Sequence, residues 1–208
     1  MTNNLEMPIV SISNGNSKMG KIPSVSLPPI ITCPKNAPCA KKCYAKRLYN
    51  RYPSVKSAYD NNLEIYRNDP NEYFRQIDSA VKMTRFFRFH VSGDIPSIDY
   101  FKRMIELADN NPHCEILAFT KQYDLINYYL GNNLLLPYLP LNLHIIFSEW
   151  GDKPIPNPYK LPTSAVIFKG TEPLDTWKIC GGNCAECACR GVGCWELKKG
   201  ETIAFYEH

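Results

Sequence analysis

Arg85-Phe86-Phe87-Arg88-Phe89-His90-Val91-Ser92-Gly93-Asp94, followed by Ile95-Pro96-Ser97, is the stretch on which the reading of this chain turns. From Arg85 to Val91 aromatic and basic residues alternate, the period-two pattern of a strand with two different faces. Ser92-Gly93-Asp94 ends it with turn-forming residues, and alternation puts His90, Ser92 and Asp94 on one face. Pro96-Ser97 then opens a helix through about Asp109, with Tyr100, Phe101, Met104, Ile105 and Leu107 apolar. The same unit recurs downstream. Glu115 to Thr120 predicts a strand and Tyr123 to Leu130 a helix, and Leu143 to Phe147, Ala165 to Phe168 and Thr202 to Tyr206 predict further strands. Upstream, Ile9 to Ser13 and Val25 to Leu27 read as short strands. Ala40 to Asn68 reads as helix broken in two at Pro53, and Asp69-Pro70-Asn71 starts another helix through about Met83.

Strands alternating with helices of this length predict an α/β fold with a mostly parallel sheet. We expect one domain over 1–208: a partial β/α barrel core over 1–170, a cysteine-rich segment over 171–200 with little periodicity of its own, and a closing strand over 201–208. In such sheets the reactive site lies at the carboxyl ends of the strands. That rule gathers Cys33 to Cys43, Ser92 to Asp94, Thr120-Lys121, Ser148-Glu149 and Lys169-Gly170 at one rim. Ser92, Gly93, Asp94, Thr120, Lys121, Ser148 and Glu149 are therefore the candidate cofactor-binding residues. Each has a plainer reading beside it. Gly-Asp is ordinary turn composition, lysines at strand ends are usually solvated, Glu149 fits a surface loop as well as an acid–base role, and His90 fits a hydrogen-bonded core histidine.

Composition narrows the function. At 208 residues with 44% hydrophobic content, the chain can build a core without cross-links. Its net charge of +4 is mild and Lys and Arg are spread along it, so nucleic acid is not indicated as a partner. No stretch approaches the roughly 20 apolar residues of a membrane span. The start, Met1-Thr2-Asn3-Asn4, lacks the regions of a signal peptide, so a cytoplasmic location without membrane attachment is expected.

Eight of the nine cysteines fall in two groups, Cys33/Cys39/Cys43 and Cys180/Cys184/Cys187/Cys189/Cys194, with Cys114 apart. An odd count without a secretion signal argues against a disulfide framework and for a metal or cluster. Three thiolates at the start of a helix suit an anionic cluster and leave a fourth position open, whereas structural zinc closes with four protein ligands. In the second group glycines let the backbone wrap closely. Four of the five thiols suffice as ligands for zinc or a cubane, here taken as Cys180, Cys184, Cys187 and Cys194 with Cys189 spare, and Cys189 fits equally in place of a neighbour. Cys114 reads as a buried apolar thiol.

The cysteine loop with Cys43-Tyr44-Ala45, the following helix and strand, and Ser92-Gly93-Asp94 resemble the radical S-adenosylmethionine enzymes, although the cysteine spacing of five and three residues differs from the superfamily's C-x-x-x-C-x-x-C. The resemblance implies a 4Fe-4S cluster on Cys33, Cys39 and Cys43 whose open iron holds S-adenosylmethionine, with Asp94 accepting from its ammonium. More closely, Cys43-Tyr44-Ala45, Ser92-Gly93-Asp94, Thr120-Lys121 and the terminal Cys194-Trp195 are similar to the phage-encoded gene product eighty-eight family, over roughly Cys33 to Trp195.

The resulting expectation is an iron–sulfur protein, a radical S-adenosylmethionine-like enzyme with a second, auxiliary 4Fe-4S cluster. Its substrate would be an unidentified small molecule or macromolecule and its electron donor a ferredoxin or flavodoxin. Two other classes compete. One is a non-enzymatic two-cluster protein that transfers electrons or senses redox state, and the other a zinc-stabilised binding module.

Overall fold

The computed structural model describes residues 8–132, 138–151 and 154–207, so Met1-Thr2-Asn3-Asn4 lies outside the described residues. Two short strands, β1 (Ile12–Ser13) and β2 (Ser24–Val25), lead into the cysteine loop and three helices: α1 (Tyr44–Arg51), α2 (Pro53–Asn68) and α3 (Pro70–Val81). Then come β3 (Phe86–Phe89), α4 (Ile98–Asn110), β4 (Glu115–Thr120), α5 (Tyr123–Asn132), β5 (Leu143–Ser148) and β6 (Thr163–Ile167). The chain ends with β7 (Lys178–Ile179), α6 (Cys184–Arg190) and β8 (Thr202–Tyr206).

The helix limits follow from local chemistry. Pro53 has no N–H to give to α1 and holds Tyr52 extended, so α1 stops and α2 begins one residue later. Asp69 caps α3 by accepting from the Glu72 N–H at 3.0 Å, with Pro70 as the first helical residue. Ser97 caps α4 in the same way, accepting from Tyr100 N–H at 3.1 Å.

The strands form one eight-stranded sheet in the order β1-β2-β3-β4-β5-β6-β8-β7. Only β1 and β2 pair antiparallel; every other neighbouring pair is parallel. The mixed α/β class and mostly parallel sheet are as expected. One limit that bears on the site differs. The strand predicted from Arg85 to Val91 stops at Phe89, because His90 takes φ 56° and turns the chain off the pleat. The alternation that put His90, Ser92 and Asp94 on one face therefore breaks at His90, whose ring is buried against the Tyr100 hydroxyl of α4 at 3.0 Å. The segment over 171–200, expected to show little periodicity of its own, contains β7, α6 and a 3-10 turn at 193–196. The closing strand, β8, lies between β6 and β7 in the sheet.

Alternation then divides the sheet into two cores. Phe87, Phe89, Ile116, Ala118, Ile145 and Phe147 pack with Tyr73, Phe74, Ile77, Phe101 and Met104 of the helices. Leu117, Ile146 and Ile203 pack instead with Ala188, Cys194 and Trp195 of the cysteine-rich segment. Burying each such large side chain stabilises the fold by about 1.5–3 kcal/mol, so the cysteine-rich segment is part of the core of this molecule.

Asn62 of α2, fully buried, fastens the short opening strands to this frame. Its Oδ1 accepts from Ser11 N–H at 2.7 Å and its Nδ2 donates to the carbonyls of Ser11 and Ser26 at 2.9 and 3.0 Å. Asn62→Leu keeps the volume and strands all three backbone groups, so we expect a loss of about 2–4 kcal/mol in urea unfolding, against under 1 kcal/mol for Asn71→Leu at an exposed position of α3.

Candidate functional site

The rim at the carboxyl ends of the parallel strands is organised by Asp94, 4% exposed. Its Oδ1 accepts from the Thr120 hydroxyl at 2.6 Å and from Ile95 N–H at 2.8 Å, and its Oδ2 accepts from Lys121 N–H at 2.8 Å. Asp94 N–H donates to Thr32 Oγ1 at 3.1 Å, and the Thr32 hydroxyl donates to the Pro28 carbonyl at 2.9 Å. Asp94 thus ties the end of β3 to the end of β4 through its carboxylate and, through its N–H and Thr32, to the cysteine loop. Gly93 makes the close approach feasible. It has φ 79°, and a Cβ there would stand 2.6 Å from the Leu27 carbonyl oxygen and 2.7 Å from Thr32 Oγ1.

Lys121 carries the rim onward to β5. Its Nζ donates to Ser148 Oγ at 2.5 Å, and the Tyr123 hydroxyl donates to the Ser148 carbonyl. Burial lowers the Lys121 pKa, while the neighbouring Cys39, Asp94, Cys33 and Cys43 favour its charged form. Glu149 N–H donates to the Ser164 carbonyl at 2.7 Å, and burial raises the pKa of its carboxyl against the Thr163 hydroxyl. Ser92 is buried and its hydroxyl has no partner among the described residues. Lys169 is exposed beyond the end of β6 and joins none of these contacts.

Cys33, Cys39 and Cys43 lie together beside this rim, each half-buried with a free thiol. Burial pushes Cys33 up to about 12, with the Asp94, Cys39 and Cys43 charges adding to it. Burial also raises Cys39, against the Lys121 charge. Cys43 is the N-cap of α1, its Sγ accepting from Lys46 N–H at 3.4 Å.

The second thiol group sits on the opposite core. Cys180, Cys184 and Cys187 pack partly buried against the cluster that contains buried Cys194. Burial pushes Cys194 up to about 12; Arg88 opposes this, and Cys180, Cys184 and Cys187 are near enough to add to it. Arg88 Nη1 donates to Cys184 Sγ at 3.5 Å, its guanidinium lies 4.9 Å from the Phe119 ring centroid, and its buried Nε has no partner among the described residues. Cys189 is exposed, and Cys114 is buried in the core on the helical side of the sheet. The segment docks on the β1–β2 turn, where Cys184 and Ala185 N–H donate to the Lys18 and Met19 carbonyls at 3.1 Å each. Gly20 permits this contact, since a Cβ there would stand 2.5 Å from the Ala185 Cβ.

Seven thiols in two groups are thus what this chain offers a metal or cluster. Burial keeps Cys33, Cys39, Cys187 and Cys194 protonated unless a cation replaces the proton. Among the described residues, no three His, Cys, Asp or Glu side chains converge closely enough for one ion. Thr32, Arg88 and Gln122, whose Nε2 donates to the Ile95 carbonyl at 2.8 Å, belong to the site without having been expected. Thr32 precedes Cys33 and Gln122 follows Lys121, so adjacency to the motifs was their only signal.

A family model described as Gene product 88 matches residues 8–201 of this chain. No curated protein and no solved structure matches it.

Burial pushes Asp94 up from its ordinary 3.8 to about 6, against three hydrogen bonds that favour its ionised form. A carboxyl raised on folding contributes stability that is complete below its unfolded value and lost as pH climbs through its folded one. Relative to the non-titrating Asp94→Asn, the wild type should lose about 3 kcal/mol of urea stability between roughly pH 4 and pH 6. A difference that grows with pH instead would show that the hydrogen bonds outweigh burial.

Proposed function

We propose that this chain, which belongs to the phage Gene product 88 family, is an iron–sulfur protein with a site-differentiated 4Fe-4S cluster on Cys33, Cys39 and Cys43. An auxiliary cluster would be held by Cys180, Cys184, Cys187 and Cys194, and the sheet would be the wall of a partial β/α barrel. The chemistry we propose is that of a radical S-adenosylmethionine-like enzyme. The observation that carries the reading is the separation of seven thiols into an open group of three at the strand rim and a group of four beneath the sheet. One further point supports it. Arg88, with a donor on Cys184 and a buried Nε unpartnered, supplies the positive charge that an anionic cluster needs.

An open iron supplies an electron and a coordination position for a small molecule. The protein's part is positional. Lys121, half-buried between Asp94 and the cysteines, offers a cation for a carboxylate, and Ser148 holds its ammonium at 2.5 Å. The unpartnered Ser92 hydroxyl is free to bond a ligand. Asp94 is already engaged by three donors, which favours a second reading in which the protein carries electrons without cleaving S-adenosylmethionine.

Protein purified anaerobically should contain about eight iron and eight sulfide per chain. Cys43→Ala and Cys187→Ala should each remove about half of the iron, leaving the other cluster's spectrum in place. With dithionite and S-adenosylmethionine, release of 5′-deoxyadenosine is expected. Two clusters without that release would favour the electron carrier, and zinc without sulfide would overturn both.

A further inference from the structure

Charge in this chain is divided in a way that its mild total conceals. From Met7 to Tyr59 there is no Asp or Glu and there are nine Lys or Arg, while the rest of the chain has fifteen Lys or Arg against all twenty Asp and Glu. The expectation that basic residues are evenly spread holds for Lys and Arg but misses where the acids are absent, and so misses the local excess of positive charge.

The fold concentrates this excess beside the first thiol group. Lys42 pairs with Glu207 at 3.0 Å and Lys56 with Asp60. Lys35, Lys41, Lys46, Arg47 and Arg51 are exposed and have no acidic partner among the described residues. Four of these five lie in or next to α1, which starts immediately after Cys43 and buries only Ala45 among its eight residues. A helix that buries so little is not held in place by the core on its own account. Tyr44, Arg47, Leu48 and Arg51, at helical spacings of three and four, share one face. Tyr44 is 51% exposed, Leu48 46% and Tyr52 44%, and the Arg51 guanidinium lies 5.4 Å from the Tyr52 ring centroid.

Cations set between exposed aromatic rings, here Lys46, Arg47 and Arg51 between Tyr44 and Tyr52, are the chemistry of single-stranded nucleic-acid binding, where phosphates meet the cations and bases stack on the rings. An acidic protein partner would also be drawn to the charge, but protein interfaces gather their apolar residues in a central patch ringed by polar ones, and here the two kinds alternate. We propose that α1 and the adjoining cysteine loop bind single-stranded nucleic acid, with the strand passing the first thiol group. The binding itself does not depend on the iron–sulfur reading; a nucleic acid as the molecule presented to that cluster does.

The test is fluorescence anisotropy of the full-length, metal-loaded protein with labelled oligothymidylate and oligouridylate of about 16 nucleotides, in KCl from about 50 to about 200 mM. Both should bind, and a preference for one identifies the natural strand. In Lys46→Gln/Arg51→Gln the slope of log K against log salt should shrink by about 1.4, since each lost cation releases about 0.7 fewer counterions from a single strand. Tyr52→Ala should weaken binding about tenfold with the slope unchanged, because stacking does not release ions. Lys198→Gln/Lys199→Gln, exposed elsewhere, should bind as wild type does. No binding at the lowest salt, equal weakening by the control pair, or equally tight binding of polyglutamate would overturn the proposal, the last in favour of an acidic protein. Binding that persists in a protein found to lack iron would sink the cluster reading alone, whereas an iron-loaded protein that does not bind would sink this proposal alone.

Discussion

The Asp94 carboxylate, buried among donors from its own turn and from the end of β4, is the constraint that the rest of the rim depends on. A parallel sheet brings its strand ends to one edge but does not fix them to one another, since each strand returns through a separate helix. Here the fixing is done by a short chain of polar contacts: the cysteine loop through Thr32 to Asp94, Asp94 to Thr120 and Lys121, and Lys121 to Ser148 on β5. Every link is a loop or strand-end residue, so the rim is rigid where strand ends ordinarily carry their most mobile connections.

The two thiol groups are held by different physics. The first lies at a surface loop whose position is set by hydrogen bonds, and its neighbours are charged. The second lies under the sheet against Leu117, Ile146 and Trp195, and its position is set by packing, with Trp195 Nε1 donating to the Cys184 carbonyl at 3.2 Å. Cys33, Cys39, Cys43, Cys180, Cys184 and Cys187 are nevertheless all half-buried, and only Cys194 of the two groups is buried.

Much of the fold was legible in the sequence because its elements are amphipathic and well punctuated. The bounds of β4 and β8 coincide with the apolar runs Glu115 to Thr120 and Thr202 to Tyr206. Pro53 and Pro70 marked helix starts. What was not legible had no periodic signal. The φ of 56° at His90 is set by its buried bond to Tyr100, a tertiary contact that ended β3 early. The helix α6 is seven residues of small and thiol side chains, too short to show a period, and is defined by its Asn183 cap and the left-handed Gly191. At the site, the cysteines and the strand-end pairs Thr120-Lys121 and Ser148-Glu149 stood out as reactive types at predicted strand ends. Arg88 did not, because on an alternating strand an arginine reads as solvent-facing, whereas here that face is covered by the cysteine-rich segment.

The docking of Cys184 and Ala185 onto the turn at Lys18 and Met19 joins two pieces of chain more than 160 residues apart. During synthesis the turn leaves the ribosome first and has no mate until the more than 160 residues between them have been made, an interval on the order of ten seconds at ordinary elongation rates. Cys33, Cys39 and Cys43 leave the ribosome well before Cys180 to Cys194 do. The two groups of thiols thus come into being one after the other, and the first is made before the partner of the turn exists.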